Sequence, residues 1–287
     1  MKLAAFSGVL IDHDLKDAFG ITKQLGFDGI EIAAREPHLS PASSASRVRE
    51  ARLMSNELGL DIPVLAGYMG GFSTADDKAC EQAFEAFQRL LDMAGELGSE
   101  AVRVQPGGPN AFLAAEAHYA RAAHWINKCA AEAAKHRLRI VLEIHNESLI
   151  ETADSAARLL SMIEHEHVGI IHDAGNMYIT GTDYGRASIQ KLGRRLFHVH
   201  MKDELLIARD GVLGSFTSLT ERGEERFLPC RMGEGEVDYR SVMGALSEVG
   251  YDGWITLETH APFPAQERLA HDYHAVIAML GQDRNEQ

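Results

Sequence analysis

Eight times along the chain a short apolar run rich in β-formers is followed by a longer stretch whose apolar residues recur at helical spacing. The runs are KLAAFSGVL (2–10), GIEIA (29–33), IPVLAGY (62–68), EAVRVQP (100–106), RIVLEIH (139–145), VGIIHDAG (168–175), LFHVHMKD (196–203) and GWITLET (253–259). Helix-like segments follow near 14–25, 45–58, 76–97, 112–136, 152–164, 184–193, 238–248 and 264–280. A period of two marks strand and one of 3.6 marks helix. Ser44, Thr74, Thr152 and Asp238 stand just before helical periodicity and read as N-caps, whose side-chain oxygens accept from free backbone N–H groups. Strict alternation implies parallel strands with crossover helices. Eight units predict an α/β chain folded as a single (β/α)8 TIM barrel over 1–287, with a doubly wound open sheet as the alternative.

One segment breaks the rhythm. Residues 204–236, with GVLGS, TERGEERF and GEGE, exceed an ordinary βα loop. They predict a long insertion after strand seven, either a lid or binding wall or a solvated loop. GEGE reads as a tight turn before Asp238 caps the seventh helix.

A formal charge of −14 opposes binding to nucleic acid and to anionic membranes. No run reaches the roughly 18 apolar residues of a membrane span, and MKLAAFSGVL lacks a cleavage signal, so it reads as a first strand. Cys80, Cys129 and Cys230 are odd in number and widely spaced, as suits a reducing cytoplasm. A homo-oligomer is allowed, but no sequence patch specifies one.

In such a barrel the carboxyl ends of the strands form the active-site face. Strand five ends Glu143, Ile144, His145; strand six carries His172 and Asp173; strand seven His198, His200, Lys202 and Asp203; strand eight ends Glu258, Thr259, His260. Glu, Asp, His and Glu thus converge from four consecutive strands. Any one of them reads equally as a cap or an ion-pair partner. Three carboxylates at one mouth repel, and burying unpaired charge is costly enough to demand a cation. Three oxygens and one imidazole suit one divalent metal ion, Mn2+ first, with Mg2+, Co2+ and Zn2+ as alternatives.

VLEIHNES, GIIHDAGNM, FHVHMKD, RMGEGEVDY and YDGWITLET together resemble successive motifs of the xylose isomerase-like TIM barrel superfamily, which includes sugar isomerases, ketose 3-epimerases, inosose-processing enzymes and endonuclease IV. The resemblance covers essentially the whole chain and implies a metal held by Glu143, Asp173, His200 and Glu258. It further implies that Glu143 and Glu258 flank a carbohydrate substrate and exchange its proton on opposite faces. Such chemistry needs a metal on adjacent substrate oxygens to stabilise an enediolate while a carboxylate takes the proton.

Two departures separate the chain from the epimerase-like members. Asn176 stands three residues after Asp173, where they carry histidine, and Leu149 stands where they tend to carry a further glutamate, although Glu147 and Glu151 are close. His145, one pleat beyond Glu143, is a candidate acid/base or a polar lining of the mouth. Asn176, Lys202, Arg231 and His260 join it as candidates for substrate oxygens.

The expectation is a metal-dependent isomerase or epimerase acting through an enediolate on a ketose, keto-polyol or 3-keto sugar. The alternative is a lyase or dehydratase on a keto-inositol or 3-keto glycoside. A nuclease like endonuclease IV lacks its histidine-rich ligands here, and a non-catalytic accessory barrel is the remaining reading.

Overall fold

The computed structural model describes residues 1–283. The strands, in chain order, are β1 (Lys2–Phe6), β2 (Gly29–Ala33), β3 (Val64–Gly70), β4 (Ala101–Gln105), β5 (Arg139–Glu143), β6 (Val168–Asp173), β7 (Leu196–Met201), β8 (Asp203–Leu206), β9 (Phe216–Thr220), β10 (Gly223–Cys230) and β11 (Trp254–Leu257). β1 to β7 and β11 close a parallel barrel, because β1 pairs with β2 on one side and with β11 on the other. The open-sheet alternative is thereby excluded. Around the barrel run α1 (Leu15–Leu25), α2 (Ala45–Leu58), α3 (Asp77–Leu97), α4 (Glu116–His136), α5 (Ala153–Leu160), α6 (Ala174–Thr180), α7 (Arg186–Leu192), α8 (Tyr239–Glu248) and α9 (Ala265–Asp283).

Each long helix packs one apolar stripe onto the strands. In α3 the buried positions Cys80, Phe84, Phe87, Leu91 and Ala94 recur at three- and four-residue steps. Burying side chains such as Phe87 contributes roughly 1.5–3 kcal/mol each. Ser44, Thr152 and Asp238 cap α2, α5 and α8 by accepting from Arg47, Ser155 and Ser241 N–H. The cap of α3 is Asp76 and not Thr74. A cap must directly precede the first helical residue; Thr74 lies two residues earlier, its own N–H bonded to Gly71 O at 3.2 Å.

Three runs are shorter than their apolar stretch. β1 ends at Phe6 and continues as a 3-10 turn, Ser7–Leu10. β5 ends at Glu143, so His145 lies in the following loop with its N–H on Ile150 O. β6 ends at Asp173, which caps the unforeseen α6 by accepting from Asn176 N–H at 2.9 Å.

Much of the 204–236 insertion is a sheet, in the order β8-β10-β9, antiparallel throughout. Asp203 closes its root. Its carboxylate accepts from the N–H groups of Glu204, Gly233, Gly235 and Val237 at 2.8 to 3.2 Å. GEGE is therefore more than a turn before a cap. A Cβ on Gly235 would stand 2.3 Å from Asp203 Oδ1, which explains glycine at that position. The sheet leans on the barrel mouth. Asn110 Nδ2 donates to Leu219 O, Asn146 Nδ2 to Ser218 Oγ, and Leu219 N–H to Glu147 Oε1.

Candidate metal centre and active site

Strand register and side-chain alternation bring four groups to one point. β5, β6, β7 and β11 are consecutive around the barrel, and Asp173 lies opposite His200 in the ladder. Glu143, Asp173, His200 and Glu258 each offer one ligand atom, and these atoms all lie within 4.8 Å of one another. All four residues are buried. His200 Nδ1 is 3.2 Å from Glu143 Oε1 and 3.3 Å from Glu258 Oε2. Its Nε2 is 3.0 Å from Glu31 Oε2, one layer down the barrel. There Glu31 also meets His198, which bonds Thr256 Oγ1.

The charges decide what this cluster can hold. Burial alone would neutralise Glu143, but Arg103 Nη1 at 2.6 Å and His200 outweigh it and bring its pKa down to about 2. Glu258 is likewise held well below the usual range by Lys202 and His200 against its burial. At Asp173 burial prevails over Lys202 and the pKa rises. Burial also opposes a proton on His200, yet Glu31 and Glu143 hold one there. With all four carboxylates (Glu31, Glu143, Asp173, Glu258) ionised, as metal ligation requires, two fixed cations (Arg103, Lys202) leave two negative charges. One divalent ion with a neutral His200 cancels them, whereas a proton on His200 cancels only half.

Two further observations fit a metal. Asp173 Oδ2 accepts no hydrogen bond among the described residues, although Lys202 Nζ is 3.0 Å away. Glu31 occupies His200 Nε2 and leaves Nδ1 for a ligand bond, as an outer carboxylate does for metal-bound histidines.

The remaining candidates divide. Lys202 Nζ bridges Asp173 Oδ2 and Glu258 Oε2, the latter at 3.3 Å. Asn176 Nδ2 donates to Ile144 O at 3.0 Å and reaches Glu143 Oε1 at 3.4 Å, so its amide braces Glu143 from the start of α6. His260 Nε2 stands 3.7 Å from Glu258 Oε1 at the rim. His145 is exposed in a cavity of about 280 Å3 that it shares with Glu143, Gln105, Gly107 and Gly108. Its Nδ1 lies 2.6 Å from Asn146 O and donates to it, a tautomer whose neutral ring has Nε2 as the acceptor. Arg231 is not brought to the cluster; its guanidinium pairs with Glu234 at 2.7 Å and stacks on Phe263. A local acid three residues away satisfies it first.

Leu149 is fully buried, and Glu151 serves the loops, accepting from Asn110 Nδ2, Glu147 N–H and Ala111 N–H. Sequence reasoning missed Glu31 and Arg103. Their signal was a charge in the middle of GIEIA and of AVRVQ, both buried strands.

The family model described as xylose isomerase-like TIM barrel matches residues 19–275. Inosose dehydratase of Geobacillus thermodenitrificans (strain NG80-2) is 23% identical over 246 residues, covering 81% of this chain and 78% of its own. Fructoselysine 3-epimerase of Escherichia coli O157:H7 is 21% identical over 267 residues, covering 90% and 89%. A solved structure of IOLI protein with a zinc atom superposes with a TM-score of 0.80 at 17% identity, covering 98% of this chain and 99% of that one.

Proposed function

Because the chain belongs to the xylose isomerase-like TIM barrel family, we propose that it is a divalent-metal-dependent lyase that removes a proton next to a carbonyl of a keto-polyol or keto-sugar and expels water. The observation that carries this reading is the difference between Glu143 and His145. Both oxygens of Glu143 are engaged, Oε2 by Arg103 and Oε1 by His200 and Asn176. His145 Nε2 is an acceptor in the cavity without a protein partner among the described residues. A single base on one face can take a proton but cannot return it to the other face, so elimination is favoured over inversion.

In the reaction the α C–H bond breaks and its proton passes to His145 Nε2. The resulting enolate expels the β-hydroxyl, the C–O bond breaks, and that oxygen leaves as water with the proton from His145. Glu143, Asp173, His200 and Glu258 would hold the ion, Mn2+ or Zn2+ by their mixed donors, which when bound offsets charge on the enolate oxygen. Arg103 keeps Glu143 ionised and Lys202 keeps Glu258 ionised, and Asn176 fixes Glu143 in place. The inosose dehydratase likeness supports elimination from a keto-inositol.

A second reading, epimerisation, draws on Glu258. Its Oε1 lies 3.7 Å from His260 Nε2, accepts no hydrogen bond of normal length among the described residues, and could return a proton to the face opposite His145. Metal-loaded protein incubated in D2O with keto-inositols, free ketoses and 3-keto glycosides separates the two by NMR and mass. Loss of water or of an aglycone supports the lyase; deuterium uptake with an unchanged skeleton supports the epimerase. Neither event with any member would overturn both and return the accessory-barrel reading.

A further inference from the structure

From Glu143 a chain of contacts runs sideways across the barrel mouth. Glu143 pairs with Arg103 on β4; the Arg103 guanidinium lies 5.2 Å from the centre of the Tyr68 ring on β3; and the Arg35 guanidinium, just past β2, lies 5.0 Å from the same ring. Its two cations differ. Arg103 is buried and spent on Glu143, whereas Arg35 is exposed and makes no ion pair or side-chain hydrogen bond among the described residues. The nearest acid in sequence, Glu36, is taken by Arg47 at 2.8 Å and by Ser40. The Tyr68 hydroxyl is also without a hydrogen-bond partner among the described residues, and the residue is partly buried. A free guanidinium and a free hydroxyl thus stand together at the rim, separated from the carboxylate cluster by one ring and one guanidinium. The charge between them and the cluster, on Arg103, is compensated by Glu143. In a chain of net charge −14, an unpaired cation at this place has no protein acid to serve.

We infer that Arg35 and Tyr68 form an anion subsite, so the substrate is a carbonyl-bearing polyol that also carries a carboxylate or phosphate at its far end. The guanidinium offers a two-pronged donor pair to either anion, and the phenol adds a third donor. The inference takes the position of the carbonyl end from the reaction proposed above, but its test reads binding and not turnover.

Mn2+-loaded protein is titrated by calorimetry with glucose, glucuronate and glucose 6-phosphate, and the titrations are repeated on Arg35→Met. At least one anionic ligand is expected to bind roughly tenfold more tightly than glucose, in line with a charge-assisted pair of hydrogen bonds. Arg35→Met removes that gap without changing metal content or melting temperature, and Tyr68→Phe narrows it. Preference for glucuronate alone or for glucose 6-phosphate alone assigns the anion as carboxylate or phosphate. Equal binding of all three, including none by any, overturns the subsite. So does a preference that survives in Arg35→Met, which would place the anion on the metal. A preference lost in Arg35→Met, with no turnover of any keto substrate, keeps the subsite and removes the lyase.

Discussion

His145 and Glu31 act on opposite sides of the same cluster, and substitution separates what each does. His145 touches none of the four candidate ligand atoms, so His145→Ala should leave metal content unchanged while lowering kcat by about 10²- to 10⁴-fold, the usual contribution of a positioned acid/base. Metal analysis beside steady-state rates checks it, and lost metal in the variant would place His145 among the ligands. Glu31→Gln should do the reverse. It keeps a carbonyl acceptor for His200 Nε2 but removes the charge that makes the ring a better donor, so metal affinity should fall about 10- to 100-fold. Competition with a chromogenic chelator measures this, and unchanged affinity would reduce Glu31 to a packing role. Glu31 was visible in the sequence only as an oddity, an acid inside GIEIA. Its meaning comes from His200, 169 residues away, and no local pattern carries that pairing. Arg231 failed for the opposite reason, because Glu234, three residues on, takes its charge.

At the scale of elements, the insertion hangs on one carboxylate and contains another that is out of place. Asp203→Ala strips four backbone N–H groups of their acceptor, and should cost about 2–4 kcal/mol and open 204–230 to limited proteolysis. Proteolysis no faster than wild type would show that the strand pairing of β8 and β10 suffices. Next to it, Glu204 is buried and its pKa is pushed up to about 8, first by burial, then by Asp173 and Asp203 against the pull of Lys202. The folded state therefore binds this proton more tightly than the unfolded chain does. Its stabilising effect is complete below the unfolded value near 4.5 and is lost as pH rises through about 8. Denaturant melts from pH 5 to 9 should show a decline on the order of a few kcal/mol that Glu204→Gln flattens. A parallel decline in the variant would assign it to other groups. The eight barrel strands were legible because each is a continuous apolar run. The insertion's strands were not. In β9, Ser218 and Thr220 face inward and are buried while Leu219 is exposed, so polar residues sit inside and apolar ones outside, a pattern that reads as loop.

The molecule gathers a cluster of buried charges at one end of the barrel, and an ion held there would couple metal binding to folding. With its carboxylates ionised and no ion bound, the cluster keeps one uncompensated negative charge even with His200 protonated; a divalent ion would make the balance neutral and displace the proton. Metal binding near pH 7 should thus release about one proton, seen as a dependence of calorimetric heat on the ionisation enthalpy of the buffer. The same linkage raises stability. A ligand present at 100 times its dissociation constant stabilises the native state by about 2.7 kcal/mol, which for a domain of this size moves Tm by roughly 5–10 °C. Chelator should take that increment away and added Mn2+ should restore it, while Asp173→Asn, which keeps the α6 cap acceptor but weakens the ligand, should melt alike in both. A Tm indifferent to chelator in the unsubstituted protein would mean that Lys202, Arg103 and the His200 proton already satisfy the cluster, and that its carboxylates bind no ion.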